Sequence, residues 1–387
     1  MELDSSTKQN DKKRPLNDSS DKAEEKQIKI EVPLLNPMVF YPGFPHISEK
    51  IFDQLDKQSL RSCREVSKSW LNTIDDQNLL WNEFVRDVGG NRAFQFACKN
   101  GHSKMLEMLF QKPTEFDIYY NAKDWKSQTA FHFACKEGHT KIVERIIQKS
   151  AELNVNLNVK DEFEYTGFLM ACKNGHSKMV ELLIQKSVEF NIKLNTKNYT
   201  GNTAFHIACQ NGNTNIADIL IQKSTEFNID LNTKYYHGRT AFHLACYHGH
   251  LEIVEILIHK STKIDVDLNT TDNFGWTAFH LACLYGKSKT AELLIQKSAE
   301  FKIFLNVTDR SGRTGFHLAC DNGRTNTVGI ILDNSELFGL HLTLKDYDGK
   351  TGFQLAQKNE IPNTINMIMK KMPSIAVKKR KKYKKAI

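Results

Sequence analysis

Histidine and cysteine recur together along this 387-residue chain at the spacing a metal site would use. His132 precedes Cys135 by three residues, and His206–Cys209, His243–Cys246, His280–Cys283 and His317–Cys320 repeat the pair. On a helix, an i, i+3 pair shares one face and could supply two zinc ligands, but a structural zinc site is a single cluster of four. Five copies of one pair describe a repeated structural position, so no metal and no cofactor is expected. Seven of the eight cysteines, Cys98, Cys135, Cys172, Cys209, Cys246, Cys283 and Cys320, stand 37 residues apart. Each lies beside the apolar face of a helix, which makes it a packing residue in a reducing compartment, cytoplasmic or nuclear. No glycine-rich phosphate loop, nucleophile elbow or paired carboxylates stand out, so no catalytic residue is assigned and no enzyme is expected.

The elements that carry these residues follow from the same period. TAFHIACQNGNTNIADILIQKS from Thr203 and TAFHLACYHGHLEIVEILIHKS from Thr240 are copies of one unit, with others from Thr129, Thr166, Thr277 and Thr314. A degenerate copy starts at Arg92 and a clipped one at Thr351, giving about eight units over 90–373. A fixed period in this range predicts a solenoid whose units touch only their neighbours. Within a unit, Thr240 can cap the first helix, which runs through Phe242, Leu244 and Cys246 to a left-handed stop at Gly249. Ile253, Ile256 and Leu257 give the second helix its apolar face. A turn follows, marked by Gly201, Gly238, Gly275, Gly312 and Gly349.

Helix, loop, helix and projecting turn, opened by T-x-[FL]-H-x-A, closely resemble the ankyrin repeat. The resemblance implies an all-α array of stacked helix pairs that binds proteins. Two departures are visible. Alanine or glycine (Ala204, Ala241, Gly167, Gly315) replaces the family's proline after the threonine, at little cost. The period is also four residues longer than the family's 33, about one helical turn. The surplus falls in segments such as KSTEFNID and predicts a longer second helix or a longer loop. Each recurring histidine is expected to bond to its capping threonine and to the neighbouring turn. Asn158, Asn195, Asn232, Asn269 and Asn306 are expected to brace the turns; in the family a corresponding asparagine can be hydroxylated.

Before the array, 40–88 holds three short apolar-periodic stretches. Phe44-Pro45, then Ile51, Phe52, Leu55 and Asp56, then Leu60, Cys63, Val66 and Trp70, then Trp81 follow the order of an F-box. Phe44 stands where that family has leucine. The resemblance implies a three-helix F-box whose Phe44, Pro45, Ile51, Phe52, Leu55, Leu60, Val66 and Trp70 bind the Skp adaptor of a cullin–RING ubiquitin ligase. The implied role is substrate receptor of an SCF-type ligase. The alternative is a plain ankyrin scaffold or nuclear regulator whose helical start only caps the array.

Comparison among units separates scaffold from surface, since the packing positions barely change while the turns do. Tyr235, Tyr236, Phe274 and Trp276 on turns, with Tyr247, Leu284 and Tyr285 on first helices, form the expected target-binding cluster of units five and six. Residues 1–39 are polar and charged, which predicts disorder. Of the net charge of +8, seven positive charges come from Lys378, Lys379, Arg380, Lys381, Lys382, Lys384 and Lys385, in the tail spanning 374–387. The body is therefore nearly neutral, which argues against a broad nucleic-acid face. Lys378, Lys379, Arg380, Lys381 and Lys382 are a candidate nuclear-import signal. No secretory signal or membrane-spanning run is apparent.

Overall fold

The computed structural model describes residues 78–373. The chain divides into two units, 1–60 and 61–387, and every described residue belongs to the second. Its described residues hold helices and turns and no strand. A leading helix, α1 (Asn78–Val88), is followed by eight helix pairs. They are α2/α3 (Gly90–Asn100, Ser103–Gln111), α4/α5 (Ala130–Glu137, Thr140–Lys149), α6/α7 (Gly167–Lys173, Ser177–Gln185) and α8/α9 (Ala204–Asn211, Thr214–Lys223). The rest are α10/α11 (Ala241–His248, Leu251–Ile264), α12/α13 (Ala278–Leu284, Ser288–Phe301), α14/α15 (Gly315–Asp321, Thr325–Asn334) and α16/α17 (Gly352–Lys358, Pro362–Lys371).

First helices stack on first helices and second on second, unit after unit. The first helices are only seven to eleven residues long, too short to persist alone in water, so packing must hold them. Phe205, Ala208 and Cys209 of one unit meet their counterparts Phe242, Ala245 and Cys246 of the next in a continuous buried core. The cysteine thiols are wholly enclosed, and burial pushes each of them up. Such thiols stay protonated and act as small apolar fillers.

The four surplus residues per unit take two forms. In units five and six the second helix lengthens to 14 residues, against 9 or 10 in units one to four. In units two to four the same stretch is a hydrogen-bonded turn, as in Phe190 N–H to the Lys186 carbonyl at 3.0 Å. Both forms end on a left-handed residue at one register: Asn154, Asn191, Asn228, Asp265 and Lys302. Buried Ile229 and Leu231, repeated as Val266 and Leu268, then pin the strand-like return to the core.

The recurring asparagines join units instead of bracing their own turns. Asn158 donates from Nδ2 to the Asn191 carbonyl and accepts from Lys193 N–H, both at 2.8 Å. Asn195 and Asn269 make the same two bonds to the following unit. Backbone groups between units are thereby satisfied without a sheet.

Candidate interaction face

The adaptor-binding candidates Phe44, Pro45, Ile51, Phe52, Leu55, Leu60, Val66 and Trp70 lie outside the described residues, as do Lys378, Lys379, Arg380, Lys381 and Lys382. The target-binding candidates all lie within them.

The face begins with the buried histidines. His243 Nδ1 accepts the Thr240 backbone N–H at 3.2 Å and lies 2.9 Å from the Thr240 hydroxyl. Its Nε2 is 3.0 Å from the Trp276 carbonyl of the next unit. A carbonyl only accepts, so Nε2 carries the proton and Nδ1 has none. His132 and His280 repeat this bridge to Tyr165 and Arg313. With both nitrogens engaged, these rings offer no lone pair to a metal. Burial, above all, pushes His243 and His206 down to about 4, and lowers His132, His280 and His317.

All but one of the described projecting turns are built around an acid or amide, buried in most of them. Asp272 Oδ1 accepts from the N–H groups of Phe274 and Trp276 at 2.8 and 2.9 Å, and Asp309 does the same for Ser311 and Arg313. Burial opposes the charge on Asp309, yet hydrogen bonds from the Arg313 backbone, the Trp276 indole and the Arg313 side chain hold it below the usual carboxylate range. Gly275, at φ 80°, closes its turn in the left-handed conformation. The turn that opens unit five departs from this plan because Tyr235 occupies the acid's position. His237 and Gly238 are both left-handed there. A ladder of bonds joins neighbouring turns, such as Tyr199 N–H to Phe163 O and Asn273 N–H to His237 O. Among the described residues it is missing at the step from Thr200 to Tyr236. His206 Nε2 lacks the close bond to the next turn's carbonyl that His132, His243 and His280 make.

Six of the seven target-binding candidates meet at this irregular turn and the units around it. Tyr247 and Tyr285 touch, with ring centroids 4.2 Å apart. Arg239 lies against both Tyr247 and Trp276, at 5.7 and 5.8 Å from their centroids. Trp276 meets Phe274 at 5.0 Å, Phe274 meets His237, and His237 meets Tyr236. The sixth, Tyr235, turns inward and its half-buried ring packs edge-on against His206. Leu284 is partly buried, with its carbonyl accepting from Arg324 Nε. Trp276 is also anchored, donating from Nε1 to Asp309 Oδ2 at 3.0 Å. The rings that stand in solvent are Tyr236, at 64% exposure, Phe274 and Tyr285.

The residue that joins the strip, Arg239, escaped sequence reasoning. It pairs with Asp272 at 3.0 Å, and both side chains are nearly enclosed. The sequence signal was the lone departure at Tyr235 from a column of Asp or Asn (Asp124, Asp161, Asn198, Asp272, Asp309, Asp346).

The profile of the family described as "Ankyrin repeats (3 copies)" matches 77–157, 153–235 and 225–309. The chain belongs to the ankyrin-repeat family. The "F-box-like" profile matches 45–87, overlapping the first ankyrin match at α1. No curated protein sequence matches the chain. Among solved structures, the array resembles the ankyrin repeat domain of Bcl-3, described as a unique member of the IkappaB protein family. That match has 21% identity and a TM-score of 0.52, covering 62% of this chain and 98% of that one. At such identity the likeness concerns the fold alone. No helix among the described residues is long and apolar enough to cross a membrane.

Proposed function

We propose that this ankyrin-repeat protein is the substrate-recognition subunit of an SCF-type ubiquitin ligase. Its F-box would hold a Skp-type adaptor and its repeats a protein target. The observation that carries this reading is the F-box-like match at 45–87, immediately ahead of an ankyrin array in one chain. Both are binding domains without catalytic groups of their own, so ubiquitin transfer would fall to the rest of the ligase. In this reading 1–39 is a polar leader, 40–88 the adaptor domain, 90–373 the target-binding array and 374–387 a basic tail that directs nuclear import. The target would engage the strip around Arg239, where exposed rings adjoin an arginine, the residue types that dominate binding hot spots.

Co-expression with a Skp adaptor tests the ligase role. The wild-type chain should co-purify with the adaptor, and the Pro45→Ala, Ile51→Ala double variant should not, with the melting of the repeats unchanged. Absence of a wild-type complex, or a complex that survives both substitutions, refutes it. The tail is tested by imaging a fluorescent fusion that stops at Val377, which should lose nuclear enrichment.

A further inference from the structure

The strip around Arg239 occupies only part of the face made by the first helices and turns. Lys99, Lys136 and Lys173 hold one register in units one to three, the position just after the buried cysteine. All three are exposed. Lys99 and Lys173 lie over aromatic rings, at 5.9 Å from the Phe133 centroid and 4.6 Å from that of Tyr165. A cation over a ring keeps its full charge, so the file remains electropositive. In units one to six, the two residues that follow each cysteine include one carboxylate, Glu137. A second file of exposed lysines, Lys123, Lys160, Lys197 and Lys234, runs along the turns at the same period, with Lys160 held by Glu164. Further along the first register the lysines give way to Gln210, then Tyr247 and Leu284. The first-helix register thus changes from basic to neutral to apolar over six units, while the lysine file on the turns runs on to Lys234.

We infer that the target presents an extended acidic stretch joined, about six residues along, to an apolar or aromatic anchor. This inference deepens the receptor reading and rests on one half of it, the repeats as the site that holds a protein target. The spacing follows from the stacking. Helices in direct contact lie about 8–10 Å apart, and an extended chain advances about 3.3 Å per residue. One unit therefore corresponds to about three residues. Acidic residues at every third position meet Lys99, Lys136 and Lys173, and two further units bring the chain to Tyr247. Duplex nucleic acid fits less well, because each strand's phosphates advance only ~3.4 Å along the helix axis and the file would meet about one in three.

A phage-displayed library of random peptides about 16 residues long, selected on the full-length protein, is the probe. Selection should enrich peptides with spaced acidic residues and an apolar anchor about six residues from the nearest one. In fluorescence anisotropy, the enriched peptide should lose at least about tenfold in affinity when Lys99, Lys136 and Lys173 are all changed to Glu. Tyr247→Ala with Tyr285→Ala should weaken it comparably. The lysines are exposed, so the triple variant should melt as the wild type does, which excludes unfolding as the cause. No enrichment, enrichment of peptides without acidic residues, or affinity indifferent to the charge reversal overturns the inference. So does displacement of the peptide by an oligothymidylate of similar length at lower concentration, which would assign the face to nucleic acid. Adaptor co-purification is read on the same protein, so loss of that complex with peptide binding intact would refute the ligase role and leave this inference standing.

Discussion

The buried histidines make the fold sensitive to acid, and the direction follows from their geometry. Protonating His243 would set a second N–H at Nδ1 against the Thr240 N–H that it now accepts. An imidazole in the unfolded chain titrates near ~6.5, whereas His206 and His243 are held at about 4 in the fold, with His132, His280 and His317 shifted the same way. Between these values the unfolded chain binds protons that the folded chain refuses. Stability is therefore unaffected above about pH 7 and falls as the pH drops from about 6.5 towards 4, by up to ~1.4 kcal/mol per pH unit for each histidine. Melting temperatures should be flat from pH 8 to about 7 and drop markedly by about pH 5. The eighth unit already uses glutamine for this cap, with Gln354 Oε1 accepting Thr351 N–H at 3.0 Å. In the first unit, Gln95 Nε2 donates to the Ala122 carbonyl of the next. His280→Gln should accordingly keep most of the stability at neutral pH and flatten the acid limb. A melting temperature indifferent to pH across this range would refute the assignment.

Among the elements, the caps were legible in the sequence and the turns only partly so. A threonine before an apolar helical run has one good role, and Thr203, Thr240, Thr277 and Thr314 all cap their helices. The aspartates two to four residues before the turn's end gave no comparable signal, because solvated acids abound in turns and burial cannot be read from residue type. The glycines marked the left-handed positions at Gly201, Gly275, Gly312 and Gly349. They did not disclose that Ser127 and Glu164 would take the same conformation. Tyr235 is where the pattern fails, and a direct test is to repair it. Tyr235→Asn should reproduce the turn of unit four, where Asn198 Oδ1 accepts from the N–H groups of Thr200 and Asn202 at 3.1 and 2.8 Å. The amides of His237 and Arg239 would gain the same acceptor and should exchange with solvent more slowly. Two hydrogen bonds at about 0.5–1.5 kcal/mol each, less the lost contact with His206, predict a modest rise in melting temperature. A fall would mean that the Tyr235–His206 packing outweighs a regular turn, and that the irregularity stabilises the array.

At the scale of the molecule, a 37-residue period was enough to read off stacked helix pairs, since any other arrangement would strand eight apolar faces in water. The proposed binding strip was less legible. Its candidates, six aromatics and Leu284, were visible as residues that vary between units, but which rings face solvent depends on neighbours such as Asp309 and His206, about 30 residues away. The join between the F-box-like match and the array was the least legible, because α1 falls in both matches. All but its last residue lies in the F-box-like match, and it packs on both helices of the first repeat. Trp81 is 4% exposed and Val85 1%. The Trp81 ring meets His102 at 5.3 Å, and Phe84 meets Phe96 at 5.1 Å. A solenoid whose terminal unit loses its cover exposes a core face to water. Removing a buried tryptophan typically costs about 3–5 kcal/mol, and in a nearest-neighbour array the loss should concentrate in the first units. Trp81→Ala should therefore raise hydrogen exchange in Gly90–Gln111 while units five to eight keep their protection. The same substitution should weaken adaptor co-purification only if α1 must be seated on the array for the F-box to bind. Uniform loss of protection along the chain would show instead that the eight units unfold as one cooperative body, and protection unchanged in the first unit would show that α1 is dispensable as a cap.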